Sequence, residues 1–174
     1  PASDTSYLFN VTRDLQISAV FTEIGEEDRF SVKAFGAKGD GGDDTLYIQA
    51  ALDYASSIGG GIVYFPKGSY GVSQPLKKSA MVSLQGAGMY LTTLRWQGQD
   101  GQAILDISNE NLAGSAIKDL GFTKNTSCRN ITGILGGSTM ERYNSAVGTF
   151  ENLLFSQLDY GVRGNAEPTG VGIF

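Results

Sequence analysis

The chain has 174 residues, 41% hydrophobic and 18% charged, which is the composition of one globular domain with a sizeable core. A net charge of -5 with no basic run argues against a nucleic acid partner, whose phosphates need clustered Lys and Arg. With no histidine and a single cysteine, Cys128, the chain excludes Ser-His-Asp and Cys-His catalysis, histidine metal ligands and an internal disulfide.

Acid–base chemistry is therefore left to carboxylates, Lys, Tyr or water, and no cofactor is expected. Cys128, lacking a base partner, reads as a plain thiol. No apolar run approaches the ~20 residues that span a bilayer, so membrane insertion is not expected. The 24 glycines have no period of three and imply many turns between short strands.

Residues 1–29 read as a leader, a neck or an arm on a neighbouring subunit. Leu15, Ile17, Ala19 and Phe21 alternate there with more polar neighbours. Phe30 to Phe35 predicts a short strand and Gly36 to Gly42 a turn. From Thr45 the period changes: Ile48, Ala51, Leu52, Ala55 and Ile58 form one stripe of a helix over 45–58. Asp43, Asp44 and Thr45 stand where side chains accept the free N–H groups of a helix start. Gly59, Gly60 and Gly61 end the helix, because glycine takes the left-handed conformation freely. Ile62–Phe65 then reads as a buried strand, Pro66–Gly68 as a tight turn and Ser69–Ser73 as a second strand.

Beyond residue 80 only short apolar runs follow, separated by glycine and asparagine. Two match in detail: Ile117-Lys-Asp-Leu-Gly-Phe122 and Phe150-Glu-Asn-Leu-Leu-Phe155 carry apolar residues at the same offsets. Their separation is that of successive coils in a solenoid, which would place Lys118 over Glu151 and Asp119 over Asn152. The expected fold is thus an all-β solenoid with 30–80 as a capping region and 81–174 as its first coils. A last run, Val171–Phe174, suggests that the coils continue.

The segments Val32-Lys-Ala-Phe-Gly-Ala-Lys-Gly-Asp-Gly41, Asp43-Asp-Thr45, Ile48-Gln-Ala-Ala51, Gly59-Gly-Gly-Ile-Val-Tyr-Phe-Pro66, Gly68-Ser-Tyr70 and Leu84-Gln-Gly-Ala-Gly88 together resemble the start of the pectate-lyase-like superfamily. One departure is that only Gly42 separates Gly-Asp-Gly from Asp-Asp-Thr, where the family usually has two residues. The resemblance implies a right-handed parallel β-helix with an N-terminal capping helix, and polysaccharide as partner. It points to a bacteriophage tailspike depolymerase of capsule or O-antigen, typically a homotrimer on the virion tail or otherwise extracellular. A noncatalytic trimeric stalk or receptor-binding fibre, and a secreted microbial lyase, glucanase or epimerase, are the alternatives, since one fold hosts many reactions.

Asp40, Asp43 and Asp44 invite a calcium reading, but turn and cap positions already account for them, and no metal site is assigned. Glycosidases need two carboxylates about the sugar bond. Lyases need a base and a neutraliser for the uronate. Asp106, Glu110, Asp119, Glu141, Glu151 and Asp159 are the candidates for an outward face. Asp119 and Glu151 lead them, being one position out of step on neighbouring coils. Trp96, Tyr143 and Tyr160 are the candidate stacking platforms for sugar rings, with core packing the alternative for each. Leu84–Gly88 lacks the helix and lysine of a phosphate loop and reads as a corner between coils.

Overall fold

The computed structural model describes residues 28–108, 114–136 and 148–164. Runs of two to five residues form fourteen strands among them, interrupted by one α-helix and by a short 3-10 helix at Val32–Phe35, where the strand expected over Phe30 to Phe35 ends at Ser31. The strands stack into three parallel sheets. Sheet A contains β1 (Arg29–Ser31), β3 (Gly61–Phe65), β6 (Val82–Gly86), β9 (Ser115–Lys118) and β12 (Gly148–Glu151). Sheet B contains β2 (Asp40–Asp43), β4 (Gly68–Val72), β7 (Thr92–Trp96), β10 (Gly121–Lys124) and β13 (Leu154–Phe155). Sheet C contains β5 (Leu76–Lys77), β8 (Ala103–Ile107), β11 (Thr132–Gly136) and β14 (Tyr160–Gly164).

Each coil visits the three sheets in turn, so the chain is a right-handed parallel β-helix. The paired motifs stack as their spacing predicts: Ile117 on Phe150, Lys118 on Glu151, Gly121 on Leu154 and Phe122 on Phe155. Coil formation begins earlier than residue 81. β3, β4 and β5, grouped with the cap in the sequence reading, already form a complete three-sheet coil. Side chains pointing inward make one continuous core that includes Val63, Leu84 and Ile117 from sheet A, Tyr70, Leu94 and Trp96 from sheet B, and Leu76, Leu105 and Ile134 from sheet C.

In the first turn of the stack α1 (Thr45–Ser57) stands where a sheet C strand would be, laying Ile48, Ala51, Leu52 and Ala55 on the core. The helix stops one residue earlier than expected, with Ile58 as its cap. Gly59, Gly60 and Gly61 have φ of 97°, 132° and 134°, and Gly60 N–H donates to the Ala55 carbonyl at 2.9 Å.

The start of α1 divides its carboxylates differently from the expectation. Asp43 accepts the Thr45 N–H at 3.1 Å and also bonds the Thr45 and Ser73 hydroxyls. Asp44, although next to the helix, makes no side-chain cap bond. Its carboxylate turns back to accept Lys38 N–H at 2.7 Å and Gly39 N–H at 2.9 Å, tying down the glycine turn. A buried carboxylate thereby satisfies two backbone donors of the turn. Burial pushes the Asp43 carboxyl up, but the bonds from Thr45 and Ser73 outweigh it and hold the group below the ordinary carboxylate range.

The open edge of sheet C has its own device. Gln49 of α1 donates Nε2–H to the Lys77 carbonyl at 2.9 Å, and its Oε1 accepts the Lys77 N–H at 2.9 Å. One side-chain amide thereby makes the two bonds that a neighbouring strand would make. Asp53 holds the same Nε2 at 2.8 Å, one helical turn on.

Candidate functional site

Sheet C presents an outward row in which charge is concentrated. Lys77 and Arg163 are exposed, Asp106 and Leu135 are half-buried, and the inward Leu76, Leu105, Ile107 and Ile134 are buried. The four outward residues are stacked in register, Lys77 on Asp106, Asp106 on Leu135 and Leu135 on Arg163. With ~4.8 Å between strands, Lys77 and Arg163 stand three rungs or ~14 Å apart.

Each member of the row is held from behind. The Lys77 backbone is fixed by Gln49. An Asp106 carboxylate oxygen accepts the Ser108 N–H at 2.9 Å. The Arg163 guanidinium lies 5.0 Å from the centre of the Tyr160 ring, which is 46% exposed. Tyr160 follows Asp159, whose Oδ2 accepts Lys124 Nζ at 2.7 Å and Ile131 N–H at 2.8 Å. The bond from Lys124, reinforced by the Ile131 amide, holds the Asp159 carboxyl below its ordinary range. Asp159 is thus a clamp on the corner that leads into β14, engaged with the protein rather than free for substrate.

The two leading carboxylates of the sequence reading lie elsewhere, at the boundary of sheets A and B. Glu151 is exposed and ends an outward row of sheet A formed by Ser31, Tyr64, Gln85, Lys118 and Glu151 in register. Arg29 covers the Tyr64 ring at 3.7 Å. Asp119 sits in the corner beyond, with a left-handed backbone (φ 59°), directly beneath Asn152 (φ 49°). Asn152 Nδ2 donates to Asp119 Oδ1 at 3.0 Å. Asp119 therefore pairs with an amide, and what it shares with Glu151 is a backbone bond, Asp119 N–H to the Glu151 carbonyl at 3.0 Å.

Trp96 is corrected. Its ring is fully buried and its Nε1–H donates to the Gln99 carbonyl at 2.9 Å, so it fills the core and offers no face to a sugar. Strand alternation puts it on the same side as Leu94. Tyr143, Glu110 and Glu141 lie outside the described residues. Among the described residues no group of three or more Cys, Asp or Glu is placed to hold a metal ion. Lys77 and Arg163 were not singled out from sequence. Each is one charge in a short strand, and only the coil register, which stacks Lys77 on Asp106 and both below Arg163, makes them a set.

Residues 29–134 match the family model described as rhamnogalacturonase A/epimerase, pectate lyase-like. The chain belongs to this family. Mannuronan C5-epimerase AlgE4 of Azotobacter vinelandii is 38% identical over 112 residues, covering 59% of this chain and 19% of that protein. Alginate lyase 7 of the same organism is 47% identical over 74 residues, 38% of this chain and 9% of that protein. The chain thus spans less than a fifth of these relatives. Among solved structures, the A-module of mannuronan C-5 epimerase AlgE6 from Azotobacter vinelandii superposes with a TM-score of 0.66 at 29% identity, over 78% of this chain and 40% of that one. ORF18 of Geobacillus virus E2 gives 0.54 at 29%, over 62% and 23%. Tailspike gp49 of Acinetobacter baumannii bacteriophage Fri1, a capsular polysaccharide depolymerase, gives 0.60 at 19% over 81% and 28%, a likeness of fold.

Proposed function

We propose that this chain forms the cap and first coils of a carbohydrate-active β-helix protein whose substrate is an acidic, uronate-containing polysaccharide lying along the outward row of sheet C. The observation that carries this reading is the row itself, with two cations separated by a carboxylate and a leucine and flanked by a tyrosine on stacked strands. Two-carboxylate hydrolysis needs a second acid about the sugar bond, and among the described residues of this row Asp106 is the one carboxylate. Its composition suits ionisation of the C–H beside a uronate carboxyl. Lys77 and Arg163 pair with substrate carboxylates and stabilise the charge that develops there, and Asp106 takes the proton. Return of a proton from water to the opposite face gives epimerisation. Expulsion of the neighbouring glycosidic oxygen gives a lyase and an unsaturated sugar. The identity with mannuronan epimerases and alginate lyase 7 supports the same substrate class.

The test is turnover of alginate, polygalacturonate and acidic capsular polysaccharides by the full-length protein. Asp106→Asn should abolish turnover with binding retained, while Lys77→Ala and Arg163→Ala raise KM. Ultraviolet-absorbing products select the lyase. Retained turnover in Asp106→Asn with loss in Glu151→Gln or Asp119→Asn would move the chemistry to the sheet A corner and overturn the assignment.

A second reading concerns the setting. The likeness to a viral protein at 29% identity supports a viral setting, and in that setting we propose a virion tailspike that cleaves host capsule or O-antigen as a homotrimer. Depolymerisation of capsule with trimers by light scattering supports it. Glycan binding without turnover would instead mark a receptor-binding stalk, and a monomeric protein would mark a secreted enzyme.

A further inference from the structure

Beyond the first turn, whose A–B connection runs over residues 32–39, the corners that join sheet A to sheet B are two residues long in three coils, Pro66–Lys67, Asp119–Leu120 and Asn152–Leu153, and five residues long in the other, residues 87–91. The longer corner carries Tyr90 at 76% exposure and Leu91 at 48%. A protruding aromatic is usually a mobile one, but this corner is tied on every side. Ala87 N–H donates to Thr92 Oγ1 at 3.0 Å, Leu91 N–H and Thr92 N–H both donate to the Gly88 carbonyl at 2.9 Å, and the Leu91 carbonyl accepts Gly68 N–H at 3.0 Å. The next coil locks it from the other side. Gly88 N–H donates to the Asp119 carbonyl at 3.2 Å, and a Cβ on Gly121 would lie 2.7 Å from the Met89 carbonyl oxygen.

We infer that this corner is a second carbohydrate-binding site, separate from the sheet C row, in which the Tyr90 ring stacks on the apolar face of a pyranose. A rigid backbone means that little conformational freedom is lost when a ligand covers the ring. Two exposed side chains are far too small for a stable protein interface, which needs about 800 Å² from each partner, whereas one ring suffices for one sugar. Hydroxyl partners stand alongside. The adjoining corners hold the exposed Lys67 on one side and the Asp119 carboxyl on the other, and Gln85 and Lys118 face outward in register on the neighbouring strands. An aromatic platform with amide, carboxylate and ammonium groups on the neighbouring corners and strands is matched to a sugar, apolar on one face and polar at its rim. The ligand class rests on the polysaccharide reading above; the site does not use the residues of that reading.

Affinity electrophoresis of the full chain through gels containing alginate, polygalacturonate, xanthan or dextran tests it, with Tyr90→Ala, Tyr90→Phe and the Lys77→Ala/Arg163→Ala double variant run beside the wild type. Tyr90→Ala should weaken retardation about threefold to tenfold at unchanged Tm, Tyr90→Phe should match the wild type, and the effect should persist in the double-variant background. Wild-type retardation that Tyr90→Ala leaves intact overturns this inference alone. No retardation by any of the four polymers removes both this site and the polysaccharide reading. Loss of a dimer in Tyr90→Ala by light scattering would make the corner a protein contact and overturn the inference.

Discussion

Gly59 and Gly60 are adjacent, both with positive φ, yet they answer to different constraints. A Cβ on Gly59 would meet nothing within 4 Å, whereas one on Gly60 would lie 2.8 Å from the Met81 carbonyl oxygen. Gly59→Ala should lower stability by about 1 kcal/mol, the backbone cost alone. Gly60→Ala should cost more, ~2–4 kcal/mol, since strain and overpacking add, and urea unfolding of the pair reads the difference. Asp43 makes a pH prediction. Its folded pKa lies below the unfolded value, so its contribution is complete above about pH 4 and declines as pH falls through the folded value. Asp43→Asn should lose about 1 kcal/mol at pH 7 and flatten the acid limb of the stability curve. The aromatic candidates separate in the same assay. Trp96→Ala should cost ~3–5 kcal/mol, and Tyr160→Ala, on the surface, within about 0.5.

At the scale of the element, the A–B corner is a two-residue turn whose left-handed first residue is Asp119 in one coil and Asn152 in the next. These residue types tolerate that conformation, and stacking lets their side chains bond. Asn152→Gly should keep the turn and lose the bond, while Asn152→Ala loses both, so thermal melts should rank wild type above Gly above Ala, with Ala down by ~1–3 kcal/mol. Much of this was legible in sequence. The matched 117–122 and 150–155 runs gave the register, and the helical stripe from Ile48 to Ala55 gave the cap. The carboxylates were harder, because Asp43 and Asp44 are adjacent in sequence and identical in type. Which one caps the helix and which one turns back to Lys38 depends on the path of the glycine turn. Trp96 was open between platform and core for a related reason: a lone aromatic in a short strand reveals its face only when the alternation of its neighbours is fixed.

For the whole molecule, the outward rows were the least legible feature, because their members come from coils of unequal length. Lys77 and Asp106 are 29 residues apart, whereas Lys118 and Glu151 are 33 apart, so no single repeat spacing gathers every ladder. The Lys124–Asp159 pair bears on the same face, since it holds the corner from which Tyr160 emerges. Asp159→Asn should speed hydrogen exchange at Ile131 more than at Ile117, a difference absent if the pair were an idle surface contact.

The Gln49 amide has a consequence for how copies of this protein meet. A parallel sheet with an unsatisfied terminal peptide invites any extended segment to add on, and from there to propagate into a fibre. One glutamine, anchored by Asp53, plugs that socket at Lys77 and gives the stack a blunt end. Gln49→Ala should leave the monomer folded but seed slow, concentration-dependent polymerisation visible by thioflavin fluorescence, and a variant that stays clear would show that the rest of α1 shields the edge unaided.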